Sequence, residues 1–270
     1  MIWKQLLTVK LEALLFDVDG TLADTERDGH RVAFNRAFAD AGLDWRWDEA
    51  LYGELLEVTG GKERMRHYLD EYRPDWPRPG SDEALTDLIR RLHAAKTAHY
   101  TRMLAEGAVA LRPGVRRLIA EARAAGMRMA IATTTTSANV GALLDHTLGA
   151  DAQSWFEVIA AGDCVAAKKP APDIYFWAME RMKLRPEQCL ALEDSANGIR
   201  ASLAAGLATL ITTNDYTTHH DFSGAALVAD QLGEPDRPMN VIRGDAGKAS
   251  YIDLRVLRNL HRDAWAGKAG

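Results

Sequence analysis

A short apolar run that ends in two aspartates constrains this chain more than any other stretch. Residues 11–22 read LEALLFDVDGTL, so the run leads directly into Asp17, Asp19 and a glycine. Apolar runs of this length that are bounded by turn residues are typical of buried strands in parallel sheets. We therefore expect Asp17 and Asp19 at the carboxyl end of a strand, which is the edge of an open α/β sheet where ligands bind.

The closeness of these two carboxylates has a chemical consequence. Only Val18 separates them, and Gly20 permits the turn that would bring them together. Ionised carboxylates repel each other unless a cation or a shared proton offsets their charge, so the pair favours a hard divalent metal, first of all Mg²⁺. The same residues also suit a strand end followed by a simple Asp/Gly turn, and the pair alone leaves both interpretations open.

The composition indicates a large core and gives no electrostatic reason to expect nucleic acid. The 270 residues are 47% hydrophobic and carry a formal net charge of -5, which suits a core domain with a second, smaller domain. No dense basic block occurs, and no apolar run approaches membrane-spanning length, so we expect neither nucleic acid nor a membrane as a partner. Cys164 and Cys189 form no CxxC pattern, and a reducing cytoplasm is the expected location.

Helical and extended patterns alternate along most of the chain, as in a doubly wound sheet. Strands are predicted at residues 127–133, 156–160, 189–192, 207–211 and 227–229. Helical spacing between the first two strands is found over residues 32–41, 48–58, 62–72 and 82–106. The predicted fold is therefore α/β, with a mainly parallel, Rossmann-like core from residues 1–22 and 107–233 and an inserted all-helical domain at residues 23–106.

The C-terminal segment, residues 234–270, is predicted to be a loop followed by a helix. Residues 233–248 are rich in Pro, Gly and Asp, which indicates a loop. Tyr251, Leu254, Leu257 and Leu260 or His261 then form one apolar stripe of a final helix. This stripe could dock onto the core or onto a partner subunit; docking onto the core is favoured, and we expect a monomer. Residues 1–10 do not resemble a secretion signal and are assigned no function.

Hydroxyl side chains follow the second predicted strand. Thr133 ends that strand, and residues 134–139 read TTTSAN before a helix begins. Hydroxyls and free backbone amides at a strand-to-helix turn suit a phosphate group. They equally suit an ordinary helix cap at Ser137 or Asn139, and the residues by themselves favour the cap.

Charged residues mark two further segments. Lys169 lies in the string AAKKPAPDIY; a lysine can neutralise a phosphate, although a loop lysine such as Lys168 is by default surface. Glu193 and Asp194 follow the strand predicted at residues 189–192. A second acidic pair at the edge where Asp17 and Asp19 are expected is what a magnesium site requires.

These four segments, in this order, resemble the four motifs of the haloacid dehalogenase superfamily. The strings DVDGT, Thr133 at a strand end, KPxPDIY and LALEDSANGIR are similar to the first to fourth motifs and extend over the whole predicted core. The resemblance implies that Asp17 is a nucleophile, that Asp19 is a general acid and base, and that Thr133 and Lys169 are catalytic residues at the phosphate. It implies a Mg²⁺ site with these ligands: Asp17, Asp19, Glu193 and Asp194.

The helical insertion resembles the cap domain of the CbbY-like branch of phosphosugar phosphatases. The resemblance rests on the strings DTERDGHRVAFN, DWRWD, TGGKER and LHAAKT. Without it, TGGKER suits a solvated helix start, although two glycines free the backbone and its cations suit a second phosphate. TGGKER lacks the spacing of a Walker loop, so ATP hydrolysis is not indicated. The implied substrate contacts are Asp17, Glu26, Gly60, Gly61, Lys62, Glu63, Arg64, His93, Lys96, Thr133, Thr134, Thr135 and Asn139.

The resemblance implies a Mg²⁺-dependent sugar phosphate phosphatase that acts through an aspartyl-phosphate. A sugar bisphosphate such as xylulose-1,5-bisphosphate, linked to the Calvin cycle, is the expected substrate. Asp19 argues against dehalogenase and phosphonate chemistry, in which no alkoxide leaving group needs a proton. A phosphosugar mutase such as β-phosphoglucomutase would use the same residues, and a non-catalytic phosphosugar-binding protein would keep the same fold. Both remain alternatives.

Overall fold

The computed structural model describes residues 10–266 and contains one seven-stranded sheet. The strands are β1 (Ala13–Phe16), β2 (Arg128–Thr133), β3 (Val158–Ala161), β4 (Cys189–Glu193), β5 (Ala208–Thr212), β6 (Leu227–Ala229) and β7 (Val241–Gly244). Their order across the sheet is β3-β2-β1-β4-β5-β6-β7; neighbours from β3 to β6 pair in parallel, and β7 pairs with β6 antiparallel. The α/β prediction is confirmed.

β1 lies inside the sheet, between β2 and β4, and its side chains are apolar on both faces. Leu14 and Phe16 pack into one hydrophobic cluster, whereas Ala13 and Leu15 pack into another. In the parallel register Phe16 pairs with Ile131 of β2 and with Leu192 of β4. The residues that follow these three strands therefore meet at one edge of the sheet.

Nine helices accompany these strands within residues 10–266. Those of the insertion are α1 (Arg31–Asp40), α2 (Glu49–Leu55), α3 (Gly61–His67) and α4 (Asp82–Ala105), and π-helical turns occupy Glu26–His30 and Tyr68–Tyr72. Those outside it are α5 (Val115–Ala124), α6 (Ser137–Thr147), α7 (Asp173–Met182), α8 (Ala196–Ala204) and α9 (Leu254–Ala266). None of the described helices combines the length and apolar character that crossing a bilayer requires.

The helical insertion has an aromatic core of its own. Phe34 and Phe38 of α1 pack against the indole rings of Trp45 and Trp47, with ring centroids 4.7 to 5.3 Å apart. Asn35 fixes this loop, since its side chain donates to the Trp47 carbonyl at 2.7 Å and accepts from the Trp47 amide at 2.8 Å. The insertion can therefore pack independently of the sheet, as a cap that covers its edge.

The chain enters and leaves the insertion along two adjacent segments. Ala23 and Leu111 form an isolated antiparallel bridge, and the Arg112 amide donates to the Leu22 carbonyl at 2.9 Å. The buried guanidinium of Arg112 donates to the carbonyls of Gly20 and Asp230. This connection joins the insertion to the carboxyl edge of the sheet.

The C-terminal segment differs in part from the prediction. Residues 233–248 were expected to be a loop, but Val241–Gly244 forms the antiparallel edge strand β7. All four residues of β7 are exposed, so the sequence carries no alternation of buried and exposed positions that would indicate a strand. The final helix docks onto the core as predicted, and it buries Leu254, Leu257 and Leu260. Residues 1–9 and 267–270 lie outside the described chain.

Candidate active site

Three acidic side chains converge at the carboxyl edge of β1 and β4. The carboxylates of Asp17, Glu193 and Asp194, called here the three-acid cluster, each place an oxygen within 4.8 Å of the others. All three residues are at most 7% exposed, and Glu193 Oε2 is buried without a hydrogen-bond partner. Asn214, which the sequence analysis did not identify, donates from Nδ2 to Asp194 Oδ2 at 2.7 Å.

The electrostatics of the three-acid cluster favour a bound cation. Burial raises the pKa of Asp17 to about 7, with Lys169 opposing the shift and Glu193 adding to it. Burial also raises the pKa of Asp194 well above its usual range, and Asp17 and Glu193 reinforce that shift. The two aspartates with raised pKa values and the unpartnered oxygen of Glu193 together form a donor set that fits Mg²⁺.

Lys169 supplies the positive charge inside this cluster. Its Nζ donates to Asp17 Oδ1 at 2.7 Å, to Glu193 Oε1 at 2.6 Å and to the Ala132 carbonyl at 2.8 Å. Burial alone would lower the pKa of Lys169, but Asp17 and Glu193 outweigh it and raise that pKa. Tyr175 of α7, which lies in the KPxPDIY string, also donates its hydroxyl to Glu193. Lys169 is therefore fixed as a cation beside the predicted nucleophile.

The carboxylate of Asp19 does not belong to the three-acid cluster, and its role as a fourth metal ligand stays a prediction. Its Oδ1 accepts from Thr25 Oγ1 at 2.5 Å and lies 2.8 Å from His30 Nε2. The chain turns sharply at Gly20, where φ is +83° and a Cβ would meet Asp194 Oδ2 at 2.2 Å. This turn allows the side chains of Asp17 and Asp19 to face different groups.

His30 connects Asp19 to a buried lysine of the insertion. Lys96 Nζ lies 2.9 Å from His30 Nδ1 and contacts the rings of Phe34 and Tyr100. Burial would raise the pKa of Asp19, but the charge and hydrogen bond of His30 outweigh burial and lower it to about 2. Burial lowers the pKa of Lys96 to about 8. His30 was not identified as a site residue, although it lies in the string DTERDGHRVAFN.

The threonine-rich turn after β2 faces the same space. Thr133 Oγ1 accepts from the Thr135 amide at 3.3 Å, and Asn139 Nδ2 donates to Thr135 Oγ1 at 2.9 Å. Thr136, not Ser137 or Asn139, caps α6, because its hydroxyl accepts from the Asn139 amide at 3.3 Å. The sequence offered several neighbouring capping residues, and only the backbone geometry selects among them.

Glu26 and Arg64 reach the site from the insertion. Tyr52 donates its hydroxyl to Glu26 Oε2 at 2.5 Å, and Arg64 donates to the Tyr52 hydroxyl at 3.1 Å and to the Leu55 carbonyl at 3.0 Å. Tyr52 is fully buried and was not identified from sequence, because an aromatic residue on an apolar helix face suits the core equally well. It holds Glu26 and Arg64 in fixed relative positions.

Ion pairs connect the insertion to the core beside the cleft. Lys62 Nζ lies 3.0 Å from Asp163, and Lys168 Nζ lies 2.8 Å from Glu63 and 3.3 Å from Asp163. Lys168 was predicted to be ordinary surface, but its side chain is only 15% exposed. The two pairs that join the insertion to the core, Lys62–Asp163 and Lys168–Glu63, link residues 101 and 105 positions apart, so no local pattern could have indicated them.

Two contiguous cavities contain most of the predicted site residues. The first, called the catalytic cavity, is lined by Asp17, Asp19, Glu26, Gly60, Arg64, Thr133, Thr134, Lys169 and Asp194, among others. The second, called the distal cavity, is also lined by Gly61, Lys62, His93, Lys96, Thr135 and Asn139. Of the predicted substrate contacts, only Glu63 lines neither cavity.

Gly61 and His93 are in close contact in the distal cavity. A Cβ on Gly61 would lie 2.8 Å from His93 Nε2, so a larger residue there would displace the imidazole. Burial lowers the pKa of His93 to about 4, and the charge of Lys96 contributes to that shift. His93 is therefore neutral at pH 7.

The described geometry and the sequence identify the class of this protein. Residues 11–206 match the haloacid dehalogenase-like hydrolases, and the chain belongs to that family. It is 48% identical over 252 residues to the plasmid-encoded protein CbbY of Cupriavidus necator. The alignment covers 93% of this chain and 97% of that protein.

Solved structures give the same relationship. CbbY from Rhodobacter sphaeroides in complex with phosphate is 49% identical to this chain and superposes with a TM-score of 0.75. The alignment covers 83% of this chain and 96% of the CbbY chain. A mutant of that protein in complex with xylulose-(1,5)bisphosphate is 47% identical with the same coverage and TM-score. The chain is therefore a CbbY-like sugar phosphate phosphatase, as the sequence analysis predicted.

The raised pKa values of Asp17 and Asp194 lead to a testable dependence on pH. Between pH about 4 and 7 the folded, metal-free protein holds protons on these two residues that the unfolded chain has released, so their contribution to stability falls as pH rises. Mg²⁺ offsets the ionised carboxylates, so it should raise the Tm more at pH 8 than at pH 5. The lowered pKa of Asp19, about 2, lies outside this range.

Differential scanning fluorimetry with chelator and with excess Mg²⁺ measures this difference. Asp17→Asn should reduce it, because the substitution removes one ionised carboxylate from the cluster. Asp87→Asn, at an exposed position of α4, is the matched control and should leave it unchanged. An equal gain in Tm at pH 5 and pH 8 in the unsubstituted protein would contradict this account.

Proposed function

We propose that this phosphatase hydrolyses a sugar bisphosphate, with xylulose-1,5-bisphosphate as the expected substrate, by Mg²⁺-dependent transfer of a phosphoryl group to Asp17. The observation that carries the proposal is that Asp17 lies among buried acids and Lys169, while Arg64 lies across the same cavity. The complex of a close relative with xylulose-(1,5)bisphosphate supports the choice of substrate. The free thiols of Cys164 and Cys189 agree with a reducing cytoplasm, where a Calvin-cycle role is expected.

The first step we propose is in-line attack of the Asp17 carboxylate on phosphorus, which forms an aspartyl-phosphate and releases the sugar oxygen. Lys169 and Thr133 would stabilise charge on the transferring oxygens. The three-acid cluster would hold Mg²⁺, whose charge keeps Asp17 ionised and offsets that of the phosphate. Asp194 is the proposed direct ligand, and Glu193 is a ligand or orients one.

Asp19 is proposed to move the proton in both half-reactions. Lys96, when charged, can only donate to His30 Nδ1, so His30 Nε2 carries a hydrogen and donates it to Asp19. This leaves Asp19 as a carboxylate, the form that accepts a proton from the water that hydrolyses the aspartyl-phosphate. For the first half-reaction Asp19 must carry a proton to the leaving oxygen. His30 Nε2 would give its proton to Asp19 while Lys96 gives one to His30 Nδ1, so that the ring stays neutral, and the proton that Asp19 later takes from water would return by the same route.

Arg64 is proposed to bind the second phosphate. Its guanidinium is buried, donates only to neutral oxygens and forms no ion pair with any residue of the described range. Lys62 and Lys168, by contrast, are already paired with carboxylates. A buried guanidinium without a carboxylate partner is well suited to a phosphate dianion. We therefore expect a strong preference for substrates with phosphates at both ends.

Substituting Arg64 tests this preference. Charge-assisted hydrogen bonds contribute about 1.5–3 kcal/mol, so Arg64→Met should lower kcat/KM for xylulose-1,5-bisphosphate by about 10- to 100-fold. The value for a sugar monophosphate should change by less than about threefold, since no second phosphate is present. Arg66→Met, which removes a guanidinium paired with Asp82, is the matched control.

The measurement is steady-state release of free phosphate over sugar mono- and bisphosphates, with and without chelator. Equal losses on both substrate classes would contradict the role of Arg64. Formation of an isomeric sugar phosphate without free phosphate would instead identify a mutase.

Substituting His30 tests the proposed proton transfer. General acid–base catalysis contributes about 100- to 10,000-fold, so His30→Asn should lower kcat on sugar phosphates by an amount in this range. For 4-nitrophenyl phosphate, His30→Asn should slow the step that releases the leaving group by a smaller factor, because nitrophenolate departs without a proton. Burst kinetics on both substrates separate the two half-reactions. An equal slowing of phosphoryl transfer from both substrates would contradict the assignment.

A further inference from the structure

A second group of metal-ligating side chains lies where the insertion meets the core. Glu57, His219 and His220 each place a ligand atom within 4.8 Å of the other two. Glu57 follows α2 in the insertion, whereas the two histidines lie in the core, in the segment between β5 and β6. Apart from the three-acid cluster, no other such group occurs among residues 10–266. The insertion and the core therefore both contribute side chains to one candidate metal site.

The spacing of these atoms suits a tetrahedral ion. His220 Nε2 and Glu57 Oε1 are 3.4 Å apart. An ion bound tetrahedrally at about 2.0–2.1 Å separates its ligand atoms by about 3.3 Å, which is close to this distance. The rings of His219 and His220 are also adjacent, with centroids 4.7 Å apart.

The chemistry of these ligands selects the metal. Two imidazoles and one carboxylate form a set that is typical of Zn²⁺, whereas Mg²⁺ prefers oxygen ligands alone. Glu57 and His219 are exposed, which gives an ion direct access from solvent.

We propose that Glu57, His219 and His220 bind one Zn²⁺ ion that ties the insertion to the core and inhibits turnover. Glu57 and His220 line the catalytic cavity, so the ion would lie at its rim. Asn197 already joins the two domains there, because its Nδ2 donates to the Glu57 carbonyl at 3.2 Å and to Thr59 Oγ1 at 3.1 Å. A bound ion would add to this contact and slow the opening that substrate exchange requires.

Ion binding at His220 has a local signature. His220 Nδ1 accepts from the Ala196 amide at 3.2 Å, which places the proton of the neutral ring on Nε2. Coordination at Nε2 moves that proton to Nδ1 and breaks the hydrogen bond from Ala196. Ala196 is the first residue of α8, where the amide has no partner within the helix and water can replace His220. The Ala196 amide resonance should therefore shift when Zn²⁺ binds.

The test is titration of the full chain carrying Asp194→Asn with Zn²⁺ in excess Mg²⁺, by calorimetry and amide NMR. Asp194→Asn weakens the three-acid cluster as a competing site and makes catalytic activity unnecessary for the readout. We expect one Zn²⁺ per chain and a shifted Ala196 resonance. Adding His219→Asn, His220→Asn or Glu57→Gln should weaken binding at least about tenfold, since loss of even an outer partner costs about 10- to 100-fold. His146→Asn, at an exposed position of α6, is the control and should change nothing.

Inhibition is measured separately in the chain with Asp194 intact. Zn²⁺ should slow hydrolysis of 4-nitrophenyl phosphate in excess Mg²⁺, and His219→Asn should raise the concentration needed at least about tenfold relative to the His146→Asn control. Three results would overturn the proposed site. They are absence of Zn²⁺ binding, binding that does not change when Glu57, His219 or His220 is substituted, and an Ala196 resonance that does not shift. Binding without inhibition would overturn its inhibitory role. None of the binding results depends on which phosphate ester is the substrate.

Discussion

The ammonium of Lys169 lies between two buried carboxylates, at 2.7 Å from Asp17 and 2.6 Å from Glu193, and the arrangement of the site depends on this contact. Buried carboxylates are costly to ionise unless positive charge is close by. Lys169 offsets part of the negative charge, but the raised pKa values of Asp17 and Asp194 show that one lysine is not enough. The parallel register that places the ends of β1 and β4 side by side therefore produces both a nucleophile and a demand for a cation.

The insertion contributes side chains to the site at the edge of the sheet. Asp17 directly follows β1 and contacts Lys169 of the core, while Asp19, next to the turn at Gly20, faces Thr25 and His30 of the insertion. Phosphoryl transfer would therefore depend mainly on core residues, and proton transfer would depend on contacts that exist only when the insertion lies against the core. The same closed arrangement brings Arg64 to the catalytic cavity. In the proposed mechanism, proton transfer and recognition of the substrate would both depend on the position of the insertion.

The sequence predicted the features that depend on short, local patterns. The apolar run before Asp17 and the acidic pair after the strand at residues 189–192 were sufficient to place the predicted nucleophile and Asp194 at one edge, because parallel strands end on the same side of a sheet. Lys169 was assigned to the site only through the resemblance of its motif. The direction of Asp19 was not predictable, because it depends on a histidine that the insertion brings in. Ion pairs such as Lys168–Glu63 join residues 105 positions apart. The exposed strand β7 carries no apolar alternation, and its pairing is determined by the backbone alone.

The central claim is that Asp17, Glu193 and Asp194 hold one divalent cation beside the nucleophile. The most direct measurement is a crystal structure with Mn²⁺ in place of Mg²⁺, in which anomalous scattering locates the ion. We predict one peak in the three-acid cluster, with oxygen atoms of Asp17 and Asp194 among its ligands. Two results would contradict the account. One is an ion that binds elsewhere while the enzyme remains dependent on the metal, and the other is full phosphatase activity in crystals and solution that contain no metal.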